Sequence, residues 1–372
     1  MRSEFKNNFS YKCLRKVSII FGTWSYSTKA EKIVTNVISI IWGLAIFANH
    51  IDYEIKPWID NSLKKSKQDA AFEKIIRLHF WTFNGISLIN CLLPLINRNT
   101  IFVESNTNQT TLSSIFNSWK MIIIVLILFS GNVIPALLFY KFLKSDKDAN
   151  VIYNKLFQDI CKLGPLTVDL QFVWFCYSLR DKFKSLNDSL INFSDPTLNK
   201  IVWSIEISTR KKGQIHWAHE KYKTLTENVY LLNNVYEERI MVNMLCYMFN
   251  TVCDLFNTLS AFKDEESSRI LVVVSLLWVV HNITRITLVC FAASAVIQQD
   301  ERVHELALAA EEVLVTKHSH SNFEMKRFLR RLIYTKVKFD VCGIMKLDKS
   351  LLSTAMIMVI SYLVLVLQYN YT

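Results

Sequence analysis

The sequence predicts an all-α membrane protein with seven transmembrane helices, and three observations carry that expectation. Hydrophobic residues make up 51% of the 372 positions, and mean hydropathy is +0.21. They fall in long uninterrupted runs and not on one helical face in four, as in a soluble domain. Glycine and proline number only 7 and 5, and basic residues are dealt unevenly to alternate loops. The runs place spans over residues 33–53, 76–97, 121–143, 160–180, 240–262, 270–297 and 350–370. Each is long enough to cross the hydrocarbon core as a helix.

Residues 1–32 are polar and basic, and the one apolar patch, Val17 to Phe21, is too short for a cleavable signal. Span one is therefore expected to act as the insertion signal. Eight cysteines are scattered without a CxxC pair, mostly in or beside spans. They suggest small buried hydrophobes and neither a disulfide framework nor a metal site.

Charge sets the orientation. The N-terminal segment and the loops after spans two, four and six hold 28 Lys and Arg, against 10 in the loops after spans one, three and five and in the tail. The positive-inside rule makes the first side cytoplasmic, with the N-terminus inside and the C-terminus outside. This is opposite to a G-protein-coupled receptor, and it removes nucleic acid as the reading of the +11 net charge. The sequons at Asn108, Asn187 and Asn192 fall on the cytoplasmic side and oppose that assignment.

The resulting organisation is a cytoplasmic segment 1–32, spans one to four over 33–180, a cytoplasmic helical extension 181–239, spans five and six over 240–297, a second extension 298–349, and span seven with a short external tail over 350–372. Within the extensions, Trp217, Leu225, Val229, Leu232, Val235 and Tyr236 follow helical spacing and run into span five. Leu306, Ala310, Val313 and Leu314 continue span six beyond the membrane. Phe323 to Cys342 is expected to add a basic helical segment before span seven. Such helices form either a cytoplasmic bundle that holds subunits together or solvated elements whose basic residues meet membrane lipid. External connections are short, so any ligand is small and binds among the helices.

Polar residues inside spans face protein or water. The outer halves collect Asn132, Tyr140, Asp254, Asn257, Trp278 and His281, with His79 and Trp81 as an interfacial pair; Asp169 and Arg285 lie nearer the midplane. Aromatic walls with a few hydrogen-bonding groups suit a small organic molecule, and the same residues also suit a packing network. His281 and Arg285 share one face of span six, and Asn250 and Asp254 one face of span five. The short loop between these spans makes Asp254 and Arg285 candidate counter-ions. Nothing points to an enzyme or a cofactor: His216 and His219 in HWAHE lack the glutamate placement of a zinc protease, and no phosphate-cradling loop or nucleophile elbow occurs.

The last span reads SLLSTAMIMVISYLVLVLQYN over 350–370. Ser361, Val364 and Gln368 fall on one helical stripe with Leu365 beside them, while Tyr362 lies off it and is expected to pack against its own subunit. An amide repeated around an axis and backed by an apolar ring is what a gated pore requires, because the amide replaces part of an ion's hydration and the ring closes by dewetting.

Ser361-Tyr362, five apolar residues and Gln368-Tyr369 resemble the terminal signature of insect gustatory receptors, threonine-tyrosine, five apolar residues, glutamine-phenylalanine. This chain departs at Ser361 and Tyr369 and keeps a hydroxyl and an aromatic ring there. Phe339, Gly343, Leu347, Asp348 and Leu351 also resemble the family. The resemblance implies a tastant-gated cation channel in the plasma membrane of a sensory dendrite, permeable to monovalent and divalent cations, assembled as a homotetramer or as a heterotetramer with other gustatory receptors. It places Gln368 and Tyr369 at the gate; helical geometry extends the wall to Leu365, Val364 and Ser361. A multi-pass transporter is the alternative, but the halves show no self-similarity.

Overall fold

The structure is a computed structural model and describes residues 16–18, 29–50, 162–194, 205–263, 269–315 and 321–371, with scattered positions between 123 and 160. Span two, most of span three, and the sequon at Asn108 lie outside the described residues.

The described residues are almost entirely helical. In chain order the elements are α1 (Lys29–His50), α2 (Leu163–Ser194), α3 (Ile205–Lys263), α4 (Arg269–Val315), α5 (Ser321–Tyr334), β1 (Asp340–Val341), β2 (Met345–Lys346) and α6 (Lys349–Tyr371). Helix α3 runs unbroken for 59 residues and α4 for 47, so spans five and six are each continuous with their polar extensions. No proline interrupts either helix, and polar residues replace the apolar run without breaking the helical period. Among the described residues one stretch, Val272–Glu311, has the length and hydropathy to cross a membrane, while Ile33–Ile46 and Lys349–Leu365 are shorter apolar segments.

The chain divides into two compact units. The first comprises residues up to Phe172, Val235–Val289 and Ser350–Thr372. Its core includes the start of α2, where Leu166 to Val168 and Leu170 to Phe172 are buried all round. Tyr236 joins that stretch by donating to Gln171 Oε1 at 2.8 Å and by packing on Phe172.

The second unit comprises Val173–Asn234 and Cys290–Lys349. Phe183, Tyr222 and Phe328 form its aromatic centre, with ring centroids 5.9 to 6.3 Å apart across α2, α3 and α5. Leu225, Val229 and Leu232 are buried at the expected spacing, whereas Trp217 is 45% exposed and lies under the Lys221 ammonium. Asn187 is buried and donates to the backbone and side chain of Gln299 at 3.0 and 3.1 Å. That sequon is thus occupied by packing, which removes one objection to a cytoplasmic location.

The basic helix expected over Phe323 to Cys342 stops at Tyr334. From Val337 to Val341 the residues alternate buried, exposed, buried, intermediate, buried, a period of two that suits an extended strand and not a helix. Asp340 pairs with Lys346 and Val341 with Met345, antiparallel. Cys342 and Gly343 both have positive φ, 51° and 67°, and Ile344 N donates to Val341 O at 2.9 Å. These are the marks of a type I′ hairpin turn, and Gly343 supplies one of its two left-handed positions without strain.

Candidate functional site

In the first unit, α6 has one narrow buried seam, Leu351, Ala355 and Val359, at successive helical turns. At 3.6 residues per turn, Ser361, Val364, Leu365 and Gln368 centre roughly 130° from that seam. All four are exposed, Val364 by 47% and Leu365 by 60%. The seam and the stripe are thus different faces of one helix. Tyr362 is 58% exposed within the chain, so the expected packing against its own subunit is not found. Tyr369 lies on α6 one position beyond Gln368.

Deeper in the same unit, the Asp169 carboxylate organises three helices. Its Oδ2 accepts from Arg285 Nε and Nη2 at 2.9 and 2.7 Å and from Tyr247 Oη at 2.7 Å; its Oδ1 accepts from Asn243 at 2.9 Å. The Arg285 guanidinium also lies 4.2 Å from the centre of the Tyr247 ring. Asp169 and Arg285 are 1% and 2% exposed. A buried ion pair tolerates its desolvation only when the remaining lone pairs and protons are satisfied in this way.

Arg285 therefore pairs with Asp169 and not with Asp254, and the reason is depth. Counted from the loop between α3 and α4, Asp254 lies about 14 Å and Arg285 about 24 Å down their helices at 1.5 Å per residue. Asp254 instead accepts from Asn282, one turn nearer the loop, at 3.4 Å. Asn250 donates to Cys246 Sγ at 2.9 Å and makes no bond to Asp254.

Nearer the expected outer surface, Trp278 and His281 on α4 meet edge to face with centroids 5.8 Å apart. The buried Lys162 ammonium lies 3.9 Å from the centre of the Trp278 ring, a cation–π contact. His281 is buried and its Nε2 has no hydrogen-bond partner. Gly131 lets the imidazole approach, since a Cβ there would sit 2.6 Å from His281 Nδ1. An unpaired buried nitrogen is costly, and a ligand hydroxyl or amide would satisfy it. The sequence alone singled out Trp278 and His281 but gave Lys162 no part in the site. Neither Tyr247 nor Asn243 carried a signal beyond helical spacing. Asn257 lies on α3, and Asn132 and Tyr140 lie outside the described residues. Among the described residues no cluster of three or more His, Cys, Asp or Glu side chains could hold a metal ion.

A family model described as 7tm Chemosensory receptor matches residues 168–372, more than half the chain. The chain belongs to the seven-transmembrane chemosensory receptor family. This receptor also resembles solved structures of the insect olfactory receptor OR5 from Machilis hrabei. The structure in complex with eugenol gives a TM-score of 0.72 at 13% identity, covering 96% of this chain and 97% of that one. A second OR5 structure gives 0.70 at the same identity and coverage. At that identity the likeness is one of fold. Curated proteins yield no match. Membership identifies a membrane-embedded chemosensory receptor of the insect odorant and gustatory receptor family, which is not a family of enzymes.

Proposed function

We propose that this receptor is a gustatory, ligand-gated cation channel whose pore is lined by α6 from four copies. The observation that carries the reading is the division of α6 into two faces: a buried apolar seam ties the helix to its own chain, and the stripe ending in Gln368 stays exposed on a different face. A lipid-facing helix has no use for an amide and a serine at that register. Around an axis they supply polar rings flanked by Val364 and Leu365, which close by dewetting. The terminal signature supports the gustatory assignment, and charge asymmetry supports an external C-terminus.

The ligand site is centred on Trp278 and His281, with Lys162 beneath the indole. The aromatic edge and the unpartnered imidazole nitrogen suit a small organic molecule with a ring or sugar face and a hydroxyl. Recognition of eugenol by the Machilis receptor accords with a ligand of that size. Asp169 and Arg285 act as the packing hub beneath it, since their polar groups already satisfy one another. Ligand binding shifts the population towards an arrangement in which the α6 stripes separate.

The test is whole-cell recording from cells expressing the chain alone, perfused with sugars and bitter compounds while G-protein signalling is blocked. A ligand-evoked current with altered cation permeation or raised basal current in Gln368→Ala supports the reading. A Gln368→Ala variant with wild-type gating and selectivity refutes the pore assignment.

A further inference from the structure

The segment joining α5 to the hairpin, and so leading along the chain into α6, is held by two side chains through its backbone. Thr335 O accepts from Tyr222 Oη at 2.7 Å, and Val337 N donates to Asp300 Oδ2 at 3.0 Å. His304 stands between these two holds. Its Nε2 is 3.5 Å from Tyr222 Oη and 3.7 Å from Asp300 Oδ2, and its ring meets Tyr222 edge to face. Asp300 is 3% exposed, and its Oδ1 is buried with no partner; His304 is 20% exposed. One carboxylate oxygen is thus bonded, the other is unsatisfied, and the imidazole is the member of the cluster that solvent reaches.

We propose that Tyr222, Asp300 and His304 form a proton-operated latch on the Thr335–Val337 connector, closed when His304 is neutral and released when it is protonated. The charged groups around the imidazole pull in both directions. Glu301 and Asp300 on α4 favour the imidazolium, Lys336 on the connector opposes it, and Arg331 on α5 bears on Tyr222. Burial decides the balance: it holds His304 below the ordinary imidazole range and pushes Asp300 above the usual carboxylate range. A released His304 titrates near about 6.5, so the released state takes up the proton first. The latch is therefore fully favoured above that range and loses stability as the pH falls through it.

The role of the latch in gating rests on α6 being the pore helix, so its test reads the connector directly as well as the current. Amide hydrogen exchange is measured on the purified receptor between about pH 6 and pH 8, corrected for intrinsic exchange. The expected result is a several-fold loss of protection over residues 335–341 at the acidic end, absent in His304→Gln and in His304→Asn. Tyr222→Phe should lower protection at every pH and keep the step. Protection that does not change with pH, or that changes equally in both His304 variants, overturns the latch.

In inside-out patches, bath acidification should change the agonist current of the wild type and leave that of His304→Gln unchanged. A pH-insensitive current beside a pH-dependent exchange step overturns the gating role. A chain that shows the exchange step and carries no current refutes the pore reading and supports the latch.

Discussion

Breaking the Asp169–Arg285 pair should destabilise the first unit more than any surface charge change. In Asp169→Leu the guanidinium keeps its burial and loses its counter-ion. Opposite charges about 4 Å apart at an effective dielectric of about 20 attract by about 4 kcal/mol. Removing one partner of such a pair typically costs about 3–5 kcal/mol. At roughly 2 °C per kcal/mol for a chain of this size, the melting temperature in detergent should fall by about 5–10 °C. Arg285→Met should cost a similar amount, because the carboxylate keeps its bonds from Tyr247 and Asn243 but loses its cation. In the double variant no charge is left buried, and its destabilisation should fall at least about 2 kcal/mol short of the sum of the singles. The assay is thermal loss of the monodisperse peak for wild type, both singles and the double. Additivity within about 0.5 kcal/mol would refute the claim that these two side chains stabilise each other.

Other outcomes follow from single contacts. Gly131→Ala should lower agonist potency about tenfold, a shift worth about 1.4 kcal/mol, because its Cβ displaces His281; unchanged dose–response curves would remove His281 from the ligand site. His281→Phe keeps the ring and deletes Nε2, so it should weaken hydroxyl-bearing agonists selectively, as read by comparing them with their methyl ethers. Gly343→Val places a β-branched residue at φ +67° and should cost at least about 1–2 kcal/mol, seen as reduced surface expression, with Gly343→Asn milder. Asn187→Gln should leave glycosylation-dependent gel mobility unchanged, since the Asn187 amide is buried against Gln299.

Hydrophobic runs, their lengths and the basic bias of alternate loops are local quantities, and by themselves they determined the helical class, the expected spans and the expected sidedness. The polar wall of the last helix was equally legible, because a period of 3.6 places Ser361, Val364, Leu365 and Gln368 together whatever surrounds them. The extended segment 337–341 was also written in the chain, as the alternation of Val337, Phe339 and Val341 with polar residues, though a short alternating run beside a basic helix is easily read as its last turns. Tertiary structure alone decided the partners. Whether Arg285 meets Asp169 or Asp254 depends on the relative depth of three helices, and spans close in sequence need not bring their polar groups level. Tyr222 and His304 stand 82 positions apart in sequence, and only the packing of their helices places a titratable ring between the two holds on one connector.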